Sequence, residues 1–335
     1  MEEWLNYLKA DPRNWLSEAD NPSVRYLAMT ELATKPISKA SIKKAKREIM
    51  TTGPVPIILF KQNDDGYWET VEGFYDTKYR GTVWQLLVLA ELYADGNDNR
   101  IKQAVEFILN WSQDRESGDF ATRGSLRGGQ RMAVIPCLTG NMVWSLLRLG
   151  YFEDPRVQKG IEWITKYQRY DDGIEKGPSG WPYERKTCWG RHTCHMGVVK
   201  SLKALAEIPP DRRSEPVKQT IKSAAEYLLK HHLFKKSHEL SQVAKPAWLN
   251  LGFPLMWNTD VLEMLDVLTA LGYHDMRMQE AIDLVINKQD EQGKWNLENT
   301  FNGRFQVNIE KKGKPSKWVT LNALRVLRGY LEEQD

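Results

Sequence analysis

The stretch LGYFEDPRVQKGIEWITKYQ at 149–168 returns as LGYHDMRMQEAIDLVINKQ at 271–289, with Leu, Gly, Tyr, Asp, Arg, Gln, Ile and the closing Gln in the same order. A third copy, ADGNDNRIKQAVEFILNWSQ at 94–113, aligns Asp98 with Asp154 and Asp275, and Arg100 with Arg156 and Arg277. EPVKQTIKSAAEYLLKHH at 215–232 is a weaker fourth. Self-similarity at a fixed period marks a repeat architecture, so these copies set the frame for the whole chain.

The four copies follow more apolar stretches at 82–92, 141–149, 196–205 and 260–271, and a fifth such stretch lies at 318–331. The unit is therefore a helical hairpin. Leu89, Leu149, Leu205, Leu271 and Leu327 mark the period at 60, 56, 66 and 56 residues. An earlier partial unit, 24–32 followed by 41–50, brings the count to about six. The first helix of each unit, as in VWQLLVLAEL, is apolar on most sides and reads as an inner helix. The second carries apolar residues at three-and-four spacing, as in Ile101, Ala104, Val105, Ile108 and Leu109, and reads as an outer helix with one wet face. The fold class expected is all-α, a single (α/α)6 toroid or barrel over 1–335 around a central cavity.

Composition agrees with a globular chain. Charged residues make up 27% and hydrophobic ones 41%, with 13 Trp, which excludes disordered and collagen-like classes. The 47 Lys and Arg against 44 Asp and Glu leave a formal charge of +3, too little for a phosphate-tracking nucleic-acid binder. Three cysteines do not make a disulfide framework, and no stretch nears the roughly 18 apolar residues of a membrane span. A cytoplasmic setting is the expectation, with a small-molecule ligand, no nucleic acid and no partner subunit readable from the chain.

Several outer helices end in Gln followed by a Gly-aromatic turn: Gln62 with Gly66 and Trp68, Gln289 with Gly293 and Trp295, and looser versions at Gln113 with Gly118 and Phe120 and at Gln168 with Gly173. This resembles the QW motif of squalene-hopene cyclases and the related repeat of protein prenyltransferase beta subunits, families that share the α/α toroid. The residues themselves suggest a structural job: Gly ends the helix, Gln bonds loose backbone, and Trp packs between hairpins. The Asp64-Asp65 and Asp171-Asp172 pairs in these turns read as turn-formers. The resemblance implies an enzyme that binds an isoprenoid-like or other amphiphilic anionic substrate, for prenyl transfer or terpenoid-type cyclisation. Neither a DxDD acid motif nor an Asp-x-Cys pair is present. The alternatives are a non-catalytic ligand-binding scaffold and a carbohydrate-active lyase or hydrolase, the latter favoured if Asp260 and Glu263 face one cleft.

The chemistry-bearing stretch is CWGRHTCHMG at 188–197. Its His192-Thr193-Cys194 looks like the His-bearing element of the prenyltransferase zinc site, and Cys137, His192, Cys194 and His195 are the candidate zinc ligands. Asp260, an acid on an apolar inner helix, and His192 are the candidate catalytic groups. Basic residues before the inner helices, namely Arg80, Arg127, Arg131, Arg191 and Lys317, are expected to form a rim that holds an anion. Tyr79, Trp84, Trp189, Trp257 and Trp318 are expected to line the cavity wall. His231, His232 and His238 read as surface.

Overall fold

A computed structural model describes residues 3–332; residues 1, 2 and 333–335, the ends of the unit expected over 1–335, lie outside the described residues. After a short 3₁₀ turn at Glu3–Tyr7 come α1 (Arg13–Leu16), α2 (Pro22–Glu31), α3 (Lys39–Thr51), α4 (Pro54–Phe60), α5 (Thr82–Glu91), α6 (Asn99–Trp111) and α7 (Pro136–Arg148). The second half holds α8 (Pro155–Tyr167), α9 (Lys186–Trp189), α10 (His195–Ala206), α11 (Glu215–Lys230), α12 (Val261–Ala270), α13 (Gln279–Asn287) and α14 (Lys317–Leu331). Two small ribbons interrupt the helices: β1 (Gly124–Ser125) with β2 (Gly128–Gly129), and β3 (Lys235–Lys236) with β4 (Glu239–Val243), both antiparallel. Among the described residues, no helix is long and apolar enough to cross a membrane.

The two helix types separate into layers as their patterns predict. In α5, Thr82 to Ala90 are all buried, and in α7, Pro136 to Leu147 are all buried, whereas α6 buries only the face of Ile101, Ala104, Val105, Ile108 and Leu109. Pro136 starts α7 five residues earlier than the apolar pattern suggests, because a proline at the first helical position gives up only an N–H that has no helical partner. Around the inner layer α5 lies beside α7, then α10, α12, α14 and α2 follow in turn. Ser23 at the start of α2 donates from Oγ to the Leu92 carbonyl at 2.7 Å and joins the last helix of this series to the first.

The repeated residues now have physical reasons. Asp98 and Asp154 cap their outer helices by accepting from the N–H groups of Arg100 and Arg156, and Asp275 does the same for Arg277 at the turn leading into α13. The same arginines bridge to the preceding outer helix, Arg156 to Glu106 at 2.7 Å and Arg277 to Glu226 at 2.8 Å. The Gln side chain ties each turn to the next unit. Gln62 Nε2 donates to the carbonyls of Gly66 and Arg100, and Gln113 Nε2 to those of Gly118 and Arg156. The aromatic residue then plugs in under the next inner helix. The N–H groups of Trp68, Phe120 and Trp295 donate to the hydroxyls of Thr82, Thr139 and Thr320 at 3.0–3.1 Å. The turn at Gln168 departs from this pattern: its amide oxygen accepts from Ser201 and its Nε2 donates to the Arg169 carbonyl.

At Gln289 this tie closes the ring. Among the described residues no outer helix follows, and Gln289 Nε2 donates instead to the Tyr7 carbonyl at 2.9 Å, while Lys9 N donates back to Gln289 Oε1 at 3.1 Å. Gly293, at φ +69°, lies so close to this segment that a Cβ would sit 1.9 Å from the Ala10 carbonyl oxygen. One hydrophobic cluster runs through the whole ring, from Trp4 to Leu327.

Candidate functional site

Charges on the apolar inner helices locate the site. Arg148 ends α7, Lys200 and Lys203 sit one turn apart on α10, Glu263 and Asp266 one turn apart on α12, and Arg325 lies on α14. Residues at i and i+3 share a helix face. The structure turns these faces to the common axis and pairs most of the charges there. Glu263 receives Lys200 Nζ at 2.7 Å on both carboxylate oxygens and Lys203 Nζ at 3.1 Å, and Lys203 also meets Glu91 at 2.6 Å. Arg148 pairs with Glu207 at 3.2 Å and lies over the Tyr93 ring at 4.4 Å, while Arg325 pairs with Glu31.

Glu31 at the end of α2, Tyr93 just past α5, Arg148 of α7, Glu207 just past α10, Asp266 of α12 and Arg325 of α14 line a single cavity of about 360 Å³. The C-terminal ends of the inner helices thus converge on one opening. The fold is an α/α toroid.

No protein-family model matches the chain. Nor does any curated protein match it in sequence. Among solved structures it is similar to a sugar epimerase from a ruminal bacterium, at 15% identity over 74% of this chain and 71% of that one with a TM-score of 0.44. It is also similar to cellobiose 2-epimerase from Bacillus thermoamylovorans B4167, at 12% identity over 77% and 75% of the two chains and a TM-score of 0.46. Type II terpene cyclase MstE from Scytonema gives 16% identity, 92% and 87% coverage and a TM-score of 0.43. The likeness is one of fold.

Below the opening, a narrower cavity of about 50 Å³ shares Tyr93, Arg148, Asp266 and Arg325 with it and reaches Asp260, Phe253 and Trp318 at its deep end. Asp260 caps α12: Oδ1 accepts from Glu263 N–H and Oδ2 from Gly252 N–H, both at 2.8 Å. It has no ion-pair partner among the described residues. Burial outweighs these two backbone donors and pushes its carboxyl up to about 7. Burial would also raise Glu263, but Lys200 and Lys203 hold it down at about 2. The Asp266 carboxyl makes no hydrogen bond or ion pair among the described residues, and burial raises its pKa despite Arg325 and Lys203 nearby.

These shifts carry opposite pH signatures. Between 3.8 and about 7 folded Asp260 keeps a proton that the unfolded chain gives up, so its contribution to stability falls as pH rises through that window. Glu263 contributes stability above its ordinary 4.5, lost as pH falls toward 2. In Asp260→Asn the decline in stability between pH 5 and pH 8 is expected to be shallower than in the wild type, as urea melts at the two pH values would read. Equal slopes for both proteins would refute the assignment.

Of the residues selected from sequence, Asp260 and Trp318 line the axial cavity. The expected basic rim does not assemble, because its members are spread over separate loops and most have acidic or aromatic partners. Arg80 is paired with Glu69, Arg131 with Glu116 and over Trp181, and buried Lys317 with Glu18 and Asp20. Arg127 is exposed, and Arg191 donates to the Ile174 carbonyl at the surface. The aromatic wall is mostly core. Trp84 is buried and donates to the Tyr75 carbonyl, Trp189 packs on Trp163 and Tyr183, and half-buried Trp257 donates to the Tyr79 hydroxyl at 2.7 Å. Trp318 stacks on Phe253 with ring centroids 4.2 Å apart.

The four candidate zinc ligands come together only in part: the cysteines are neighbours, while the two histidines turn to other partners. His192 is exposed and pairs with Asp172, whereas buried His195 stacks on Trp248 at 4.4 Å with its Nε2 3.2 Å from Met264 Sδ. Burial lowers His195 to about 3. Among the described residues no group of three or more His, Cys, Asp and Glu side chains is placed to hold a metal ion. Cys137 and Cys194 face each other's surroundings, together with Cys188. The Cys188 thiol and then the Met196 and Gly197 N–H groups favour the Cys194 thiolate and bring it down to about 7. His231, expected at the surface, is buried: its Nδ1 bonds the Lys235 carbonyl and its Nε2 faces Asp172 at 3.4 Å. Asp172 is thus more than a turn-former, since it also accepts from Ser237.

Sequence reasoning missed Glu91, Arg148, Lys200, Lys203, Asp266 and Arg325. Their signal was available: each is one of the few charges in a mostly apolar inner helix, where an unpaired charge is costly to bury.

Proposed function

We propose that the protein is an enzyme that performs general acid–base chemistry on a small, hydroxyl-rich substrate of the carbohydrate type at the axial opening. The observation that carries this reading is Asp266, whose unpaired carboxyl lines a charged cavity together with Arg148 and Arg325 and is raised by burial. A carboxyl that holds its proton nearer to neutrality is a better donor and acceptor in proton transfer than an ordinary one. The guanidinium groups of Arg148 and Arg325, braced by Glu207 and Glu31, have donors to aim at substrate oxygens, and the Tyr93 ring offers an apolar face. The charged lining favours a polar occupant over an isoprenoid chain, which would strip water from these groups without replacing its hydrogen bonds. The aromatic residues that would suit such a chain are mostly engaged in packing.

The test is to incubate the protein with a panel of aldoses, ketoses and aryl glycosides in deuterated water and follow proton exchange, isomerisation and cleavage by NMR. Turnover of one class is expected, with Asp266→Asn lowering it by roughly 10²–10⁴-fold and leaving the melting midpoint in place. Turnover of an isoprenoid diphosphate with none of the sugars would overturn the reading.

A further inference from the structure

All three cysteines of the chain gather at the end of the ring opposite the axial opening. Cys137 is on the first turn of α7, Cys188 on α9, and Cys194 immediately before α10. Trp189 and Thr193 form an isolated antiparallel bridge, closed by the turn Gly190-Arg191-His192. Cys188 and Cys194 immediately flank the two bridged residues, so the bridge brings their backbones together. The two thiols are close enough for each to act on the other's proton. Both residues are partly exposed, whereas Cys137 is buried.

We propose that Cys188 and Cys194 are a redox-active dithiol, a modification site that takes a small disulfide as its oxidant and closes into a Cys188–Cys194 disulfide. Cys194 is the attacking sulfur, because it sits at the start of α10, where first-turn N–H groups and the helix dipole favour negative charge. Its thiolate displaces one thiolate from the small disulfide and forms a mixed disulfide. Cys188 then loses its proton and attacks Cys194 Sγ, releasing the second small thiolate and forming the internal bond. The two cysteines lose two electrons, and the small disulfide is reduced to two thiols that take up the two protons.

Oxidised glutathione is the probe, and the readout is thiol content in denaturant followed by peptide mapping. Free thiols are expected to fall from three to one, and trypsin, which cleaves after Lys186, Arg191 and Lys200, is expected to release 187–191 linked to 192–200. Cys188→Ser is expected to stop at a glutathione adduct on Cys194. Cys137→Ala is expected to give the same linked peptide as the wild type. Folding of each variant is checked by circular dichroism. A linkage through Cys137, or three thiols retained by the folded wild type after incubation, would overturn the proposal.

Discussion

Glu263→Gln is expected to destabilise the protein by about 3–5 kcal/mol at pH 7, the cost of breaking a buried ion pair and leaving one charge without its partner. The stranded charge is Lys200, which is 1% exposed and has Glu263 as its only carboxylate among the described residues. Lys203 is less affected because Glu91 remains beside it. The double change of Lys200→Met with Glu263→Gln is therefore expected to recover much of the loss, since it removes the orphaned charge along with its partner. Urea denaturation of the single and double variants checks this. A single variant as stable as the wild type would mean that the lysine already finds water or loses its proton in the folded state.

The second large effect concerns the Gln-Gly-aromatic turns. Trp68→Ala and Trp295→Ala are each expected to cost about 3–5 kcal/mol, in the range of large-to-small changes in a packed core. Both indoles are fully buried, and their Nε1 groups donate to the Ile58 and Val285 carbonyls at 2.8 and 2.7 Å. Each truncation opens a void between hairpins and removes one of the donors to a buried carbonyl, which keeps only its backbone partner, Lys61 N–H at Ile58 and Lys288 N–H at Val285. Trp257→Ala, at a half-buried indole, is the comparison and is expected to cost clearly less. Comparable losses at all three positions would argue that the turns have no special part in holding the ring.

The fold was largely legible because its repeated residues do repeated local jobs. Asp98, Asp154 and Asp275 cap helices or their leading turns, and caps leave a mark in sequence at fixed distance from the pattern they start. The candidate site was only partly legible, for a related reason. Sparse charges on the inner helices, such as Arg148 and Asp266, gain meaning only when several helices are arranged around one axis, and no local spacing reports that. The basic rim failed in the opposite way. Lys317 looks free in sequence, but its partners Glu18 and Asp20 are nearly 300 residues away. Charge counting sees the cation and cannot see who neutralises it.

The bonds between Gln289 and residues 7–9 join positions 280–282 apart in the chain. They act as a clasp. Loop-closure entropy grows only logarithmically with the length enclosed, so fastening a clasp of this reach costs little more at equilibrium than fastening a short one. In time the order is different. Residues near 7 leave the ribosome long before those near 289, and contacts of high sequence separation form late. The ion pair of Arg325 on α14 with Glu31 on α2 joins the two ends of the series, so that part of the axial charge network exists only in the closed ring.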